Sequence, residues 1–237
     1  TGTGSTTAAA VNNGSSDACG IQSLGLSQTT FVCAEVGANT EVLTVTDVNG
    51  NSTTCTTVIT VEDNVAPVAI CQNITVQLDI TGNANITASQ VDNGSSDACG
   101  IASLALNVTT FSCNNVNANT VILTVTDVNG NSSTCASTVT VLDTVRPVPN
   151  CQNVTVFLNN TGSGATTASA VNNGSTDNCT IASMVLSQTS FVCAEVGANT
   201  EILTVTDVNG NSATCSTIIT VLYTVRSIAI WQNITVL

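Results

Sequence analysis

Between residues 121 and 141 apolar and polar side chains alternate almost without a break. Val121, Leu123 and Val125 fall on one side of an extended chain, and Ile122, Thr124 and Thr126 fall on the other. Beyond Asp127-Val128-Asn129-Gly130-Asn131, one face carries Cys135, Val139 and Val141 and the opposite face Ala136, Thr138 and Thr140. A period of two marks a half-buried strand. Asn129-Gly130 supplies the residues a type I′ turn demands, so the stretch predicts a hairpin. Upstream, Ile74, Val76 and Leu78 alternate with Thr75 and Gln77. Ile101, Leu104 and Leu106 mark a further short strand, and Phe111 with Cys113 another. Turn formers separate them: Gly82-Asn83, Asp92 to Asp97, and Asn114 to Asn119. No segment keeps a helical period. About seven short strands with turns every 8–12 residues or so predict an all-β fold, a β-sandwich.

This text is written three times. Cys19, Cys99 and Cys179 stand 80 residues apart, as do Cys33, Cys113 and Cys193, and Cys55, Cys135 and Cys215. A fixed period settles architecture before any local reading, and this one suits a small sandwich rather than a solenoid rung. The expected organisation is tandem units of about 80 residues. Residues 1–65 form a unit lacking its first strand, 66–145 and 146–225 are complete units, and 226–237 are the first strand of a following unit. Two arrangements fit this pattern. Either the last strand, through Ile228, Ile230, Trp231, Ile234 and Val236, completes the first sandwich of another copy, or the sequence is a window of a longer tandem chain. Adding a strand to an open edge is a known recognition mode.

Eleven cysteines at repeating positions, without His or a C-x-x-C pair, read as disulfides rather than zinc ligands. Cys19, Cys33, Cys71, Cys99, Cys113, Cys135, Cys151, Cys179, Cys193 and Cys215 are the expected partners. Four cysteines per unit allow three connectivities. The favoured one joins Cys99 to Cys113 as a local clip and Cys71 to Cys135 as a clasp between first and last strands, with their equivalents elsewhere. Cys71 runs out of phase with Ile74, Val76 and Leu78, so it needs a bulge or an edge position. Trp231 stands where Cys71 and Cys151 stand, which leaves Cys55 without a partner.

Charge narrows the function classes. Only 7% of residues are charged, where a typical domain has roughly 25%. There is no Lys or His, and two arginines face fifteen acids, for a net charge of −13. Nucleic acid is excluded as a partner, because nothing neutralises phosphate. An anionic membrane surface is excluded for the same reason. The usual general bases and amine nucleophiles are missing, so no enzyme is expected. Apolar runs of a few residues predict no membrane span.

Ala66-Pro67-Val68-Ala69-Ile70-Cys71-Gln72-Asn73-Ile74-Thr75-Val76, Asp97-Ala98-Cys99-Gly100-Ile101 and Val125-Thr126-Asp127-Val128-Asn129-Gly130-Asn131-Ser132 resemble the HYR-like, immunoglobulin-like repeats of long Bacteroidetes surface proteins. The resemblance runs through the whole chain. It implies export, an immunoglobulin-like sandwich, and a role as a cell-surface filament or adhesin. It names no ligand. The chain departs from the pattern at the last junction, with Tyr223 in place of a linker acid, Ser227 in place of proline, and Trp231.

Calcium is the chemistry the acids suggest. Asp17, Asp97 and Asp177 recur in one loop, Asp47, Asp127 and Asp207 in the hairpin, and Asp63 and Asp143 in the linkers. Loops rich in Asp, Asn and backbone carbonyls can supply the six to eight oxygens calcium takes. The plainer reading is that these acids cap turns through their own backbone. Twelve Asn-x-Ser/Thr sequons, from Asn13 to Asn233, leave glycosylation open, since a chain this rich in Asn, Ser and Thr produces such triplets by chance. Thr44/Thr46, Thr124/Thr126 and Thr204/Thr206 are the polar residues an exposed strand favours, and a twisted sandwich gives them no flat ice-binding rank. The reading is therefore a secreted, disulfide-stabilised structural subunit of an extracellular filament or stalk, self-associating head to tail. The alternative is an adhesin that binds glycans or cations through its loops.

Overall fold

The computed structural model describes residues 2–227, 229–232 and 234. The fold is all-β, a tandem series of β-sandwich repeats. The first repeat contains β1 (Thr3–Ser5), β2 (Ile21–Leu26), β3 (Thr30–Val32), β4 (Gly37–Asp47) and β5 (Ser52–Val61). The second contains β6 (Ile74–Gln77), β7 (Asn83–Asn85), β8 (Ile101–Leu106), β9 (Thr110–Ser112), β10 (Asn117–Asp127) and β11 (Ser132–Leu142). The third repeats that order as β12 (Val154–Phe157), β13 (Ser163–Ala165), β14 (Ile181–Leu186), β15 (Ser190–Val192), β16 (Gly197–Asp207) and β17 (Ser212–Leu222).

The second and third repeats each pair a four-stranded sheet with a two-stranded one. Their orders are β6-β11-β10-β8 with β7-β9, and β12-β17-β16-β14 with β13-β15. The first strand joins the last in parallel, Val154 opposite Ile219 and Phe157 opposite Leu222. The first repeat has β2-β4-β5 and β1-β3. Among the described residues nothing lies on β5 where β6 lies on β11.

Alternation sets the core. Val121, Leu123, Val125, Val139 and Val141 are fully buried while their neighbours along the strands stay in contact with water. In the third repeat Val156, Leu158, Val171, Leu186, Phe191, Leu203, Val205, Ile219 and Val221 form one cluster. Burying each such side chain favours folding by about 1.5–3 kcal/mol. The equivalents in β5, Ile59 and Val61, are only half-buried.

Three single-turn helices interrupt the strands: α1 (Ala8–Val11), α2 (Ala88–Val91) and α3 (Ala168–Val171). At α1 and α3 the Thr7 and Thr167 hydroxyls accept from the amides of Ala10 and Ala170 at 3.2 Å. One turn is too short to leave a helical period in the sequence, although its threonine cap is legible in retrospect. Each of these helices ends before the turn that leads to Asp17, Asp97 or Asp177.

The hairpin differs from the expected type I′ turn. Gly130 alone in that loop has positive φ, at 94°. The Gly130 amide donates to the Asp127 carbonyl, and the Asp127 amide to the Asn131 carbonyl at 3.0 Å. The Asp127 carboxylate accepts from the amides of Asn129 (2.9 Å) and Asn131 (2.8 Å). A four-residue loop organised by a carboxylate needs only one left-handed residue.

By compactness the chain divides into two units. One comprises Thr1–Ile74, Ile86–Thr109 and Asn119–Val139, the other Thr75–Asn85, Thr110–Ala118 and Thr140–Leu237. The dividing line passes through the middle repeat. Each unit holds one join between consecutive repeats and two of the four disulfides.

Candidate functional site

Cysteine pairing departs from the expected local clip. Cys71 is bonded to Cys135 and Cys151 to Cys215, each clasping the start of a repeat to its last strand. Cys99 and Cys113, however, are not bonded to each other. Cys33 is bonded to Cys99 and Cys113 to Cys179, both across a separation of 66 residues. These bridges join one repeat to the next. Cys19, Cys55 and Cys193 are exposed and unpaired among the described residues. Cys19 and Cys193, expected to pair within their repeats, are thus corrected by the same shift that moves Cys99 and Cys113 to new partners.

The turn before β7 leaves room for this pairing. Gly82 has φ of +76°, and a Cβ placed there would meet both the Cys113 Sγ and the Asn178 carbonyl at 2.8 Å. Cys113, just after β9, therefore looks past a bare glycine backbone toward the loop of the following repeat. Gly2 does the same for Cys33, where a Cβ would lie 2.9 Å from its Sγ and 3.3 Å from the Ala98 carbonyl. Cys71 needs no bulge. It precedes β6 and makes an isolated bridge to Asp92, so strand phase does not bind it.

The acids suggested for calcium fall into groups. Asp143, Asp177 and Asp207 converge in one unit, with one oxygen of each within 4.8 Å of the others. Asp63 and Asp97 converge with the bridged Cys99 in the other unit. Asp127 caps its hairpin near Asp63, since the Asn131 side-chain amide donates both to the Asp127 carboxylate (2.9 Å) and to the Asp63 carbonyl (2.9 Å). Asn211 repeats this with Asp207 (2.8 Å) and the Asp143 carbonyl (3.1 Å). Burial pushes the Asp127 carboxyl up, but the donors from Asn131, Asn129 and Gly130 outweigh it and hold it below the usual carboxylate range. Asp17 is exposed and Asp47 half-buried, both beside an open cleft with Asn51. The plain capping role is real in every copy: Asp17, Asp97 and Asp177 each accept from the amide two residues on, at 2.7, 2.7 and 2.9 Å.

Sequence reasoning passed over several residues. Asn131 and Asn211 tie hairpin to linker, and Asn178 donates to the Asp79 carbonyl (3.1 Å) and to Asp143 (3.2 Å). Glu41 and Glu201 are buried, each accepting from a serine hydroxyl, Ser27 or Ser187. Their one legible signal was an acid in phase with the buried face of its strand. At the other end of the chain Ile230, Trp231 and Ile234 are 92%, 84% and 83% exposed. Ile228 and Val236, also expected in assembly, lie outside the described residues. No helix among the described residues is long and apolar enough to cross a membrane.

No protein-family model matches the chain, and no curated protein does. Among solved structures it is similar to protocadherin gamma B7 extracellular cadherin domains 1–4, at 15% identity over 86% of this chain and 66% of that one, with a TM-score of 0.35. It is similar to protocadherin gamma C5 domains 1–3 at 12% identity, over 83% of this chain and 89% of that one, TM-score 0.36. It is similar also to human mucin-like protocadherin domains 1–2 at 14% identity, over 64% of this chain and 96% of that one, TM-score 0.34. Scores this low identify neither a family nor a ligand.

Proposed function

We propose that the chain is a structural subunit of an extracellular filament or stalk, whose copies join head to tail and are locked covalently by a Cys193–Cys19 disulfide. The observation that carries this reading is the series of bridges. Cys33–Cys99 and Cys113–Cys179 advance by one repeat each. The next member pairs Cys193 with a cysteine one repeat further on, at the position Cys19 occupies in the first repeat. Both thiols are exposed. Gly162 stands beside Cys193 as Gly82 stands beside Cys113, so the acceptor side of the bridge is already built. Disulfides of this density belong to an oxidising compartment.

The open side of β5 supports the same assembly. Ile59 and Val61 are half-buried where Val139, Val141, Ile219 and Val221 are sealed. The segment 226–237 carries the sequence pattern of β6 and β12, and laid along β5 of another copy it would cover that edge. Trp231 would then stand opposite Cys55 and replace a clasp with packing. The role is mechanical: each repeat is a spacer.

The test is oxidative assembly of the chain itself. Without reductant, a gel is expected to show a ladder of multiples, and peptide mapping a pair of peptides joined by a Cys19–Cys193 disulfide. Cys193→Ser removes the ladder and Cys55→Ser leaves it. A monomer with three free thiols under oxidising conditions overturns the proposal.

A further inference from the structure

We infer that Asp143, Asp177, Asp207 and Asn178 form a calcium site where the second repeat meets the third. The inference does not depend on assembly between copies. Asp143 leaves the end of β11, Asp177 and Asn178 lie in the turn before β14, and Asp207 ends β16. One oxygen from each carboxylate lies within 4.8 Å of the others, in a chain without a single Lys or His.

Convergence of acids is not itself a site; the unpartnered oxygens make this one. Asp143 is 7% exposed. Its Oδ1 accepts from the Val145 amide and the Asn178 side chain, both at 3.2 Å, but its Oδ2 is shut from water and receives no hydrogen bond. Asp177 spends its Oδ2 on the Cys179 amide, and its Oδ1 is likewise buried and unpartnered. The Asn178 side-chain amide is held by two acceptors through its nitrogen, which leaves its Oδ1 buried and without a donor. Asp207, 2% exposed, is fixed by Asn209 and Asn211. Buried acceptors in native structures find partners. Here two of them belong to the converged aspartates, and the third is on Asn178, hydrogen-bonded to Asp143, so a single cation is the partner that would satisfy them.

The donor set selects the ion. Every candidate ligand is a hard oxygen, the nearby cysteine is oxidised in the Cys113–Cys179 bridge, and imidazole is absent, which disfavours zinc and copper. Magnesium demands a near-ideal octahedron, whereas calcium accepts six to eight oxygens in an irregular shell. An ion here ties a linker residue of one repeat to two loops of the next, beside the disulfide. The equivalent place around Asp63 keeps an unpartnered Asp63 Oδ2 but has Ala98 where Asn178 stands, so it offers one ligand fewer.

Calcium chloride titrated into the chelator-stripped chain is the test, done in the Cys193→Ser background so that assembly plays no part. Calorimetry is expected to show saturable binding, and the melting temperature is expected to rise by about 5 °C or more at saturating calcium. Asp143→Asn removes that rise, and without calcium it melts no lower than the parent chain, because it keeps an oxygen for Val145 and relieves like-charge crowding. Should Asp143→Asn fail to fold, Asp177→Asn reads the same loss. No heat of binding overturns the inference. So does an Asp143→Asn chain that keeps the full calcium response, and so does an equal response to magnesium.

Discussion

Gly82 shows how one missing side chain makes room for a bridge between repeats. With any Cβ at 82 the Cys113 sulfur and the Asn178 carbonyl would both have to move, and φ of +76° penalises the substitution again. Gly82→Ala is therefore expected to leave Cys113 and Cys179 as free thiols by maleimide labelling, and to cost about 2–5 kcal/mol of stability through the lost bridge. At Glu35 and Glu195, side-chain donors from Gln28 and Gln188, then the amides of Val32 and Val192, hold the carboxyl below the usual range. A group whose folded pKa is depressed contributes its stability above the unfolded value and loses it as pH falls through the folded one. Glu195→Gln is accordingly expected to flatten the acid end of a plot of melting temperature against pH, measured from pH about 6 to about 2. What the sequence hid at this scale is direction. Cys99 and Cys113 sit 14 residues apart in one repeat, and nothing in the spacing tells whether a thiol faces its own repeat or the next. The repeated glycines that stand against Cys33, Cys113 and Cys193 become informative only once folding brings them there.

Elements were the most legible level. Alternation at 121–141 marked the buried faces of β10 and β11, because a strand in a sandwich has water on one side only. The turn type departs from the sequence expectation: Asn-Gly implies two left-handed residues, whereas the Asp127 carboxylate takes the loop amides and leaves Asn129 in an ordinary conformation. Asp127→Ala removes the acceptor for the Asn129 and Asn131 amides at a residue only 1% exposed. Losing that cap is expected to lower the midpoint of urea unfolding. The Cys71–Cys135 clasp acts at the same level, fixing the start of the repeat to β11. Replacing both cysteines by serine is expected to lower stability by about 2–5 kcal/mol, with β6 the first strand to lose amide protection from exchange.

At the scale of the molecule, the period of 80 residues was plain and the pattern of cross-links was not. Periodicity equates positions and is silent on which copies are wired together, so a clip within a repeat and a link between repeats leave the same trace. Calcium was suggested by acids scattered through eight positions; folding sorts them, bringing Asp143, Asp177 and Asp207 together and leaving Asp17 in the open. The linker acid was the part of that site least open to sequence reasoning, because only burial separates Asp143 from an ordinary solvated aspartate.

The bridges at 33–99, 71–135, 113–179 and 151–215 each begin inside the span of the one before. Every peptide bond from residue 33 to residue 215 is therefore enclosed by at least one covalent ring. A protease that nicks the backbone once anywhere in that stretch adds a water and releases nothing. Two cuts can free an internal peptide, but the two ends of that stretch stay joined until still more cuts are made or a reductant opens the bridges of the nicked chain.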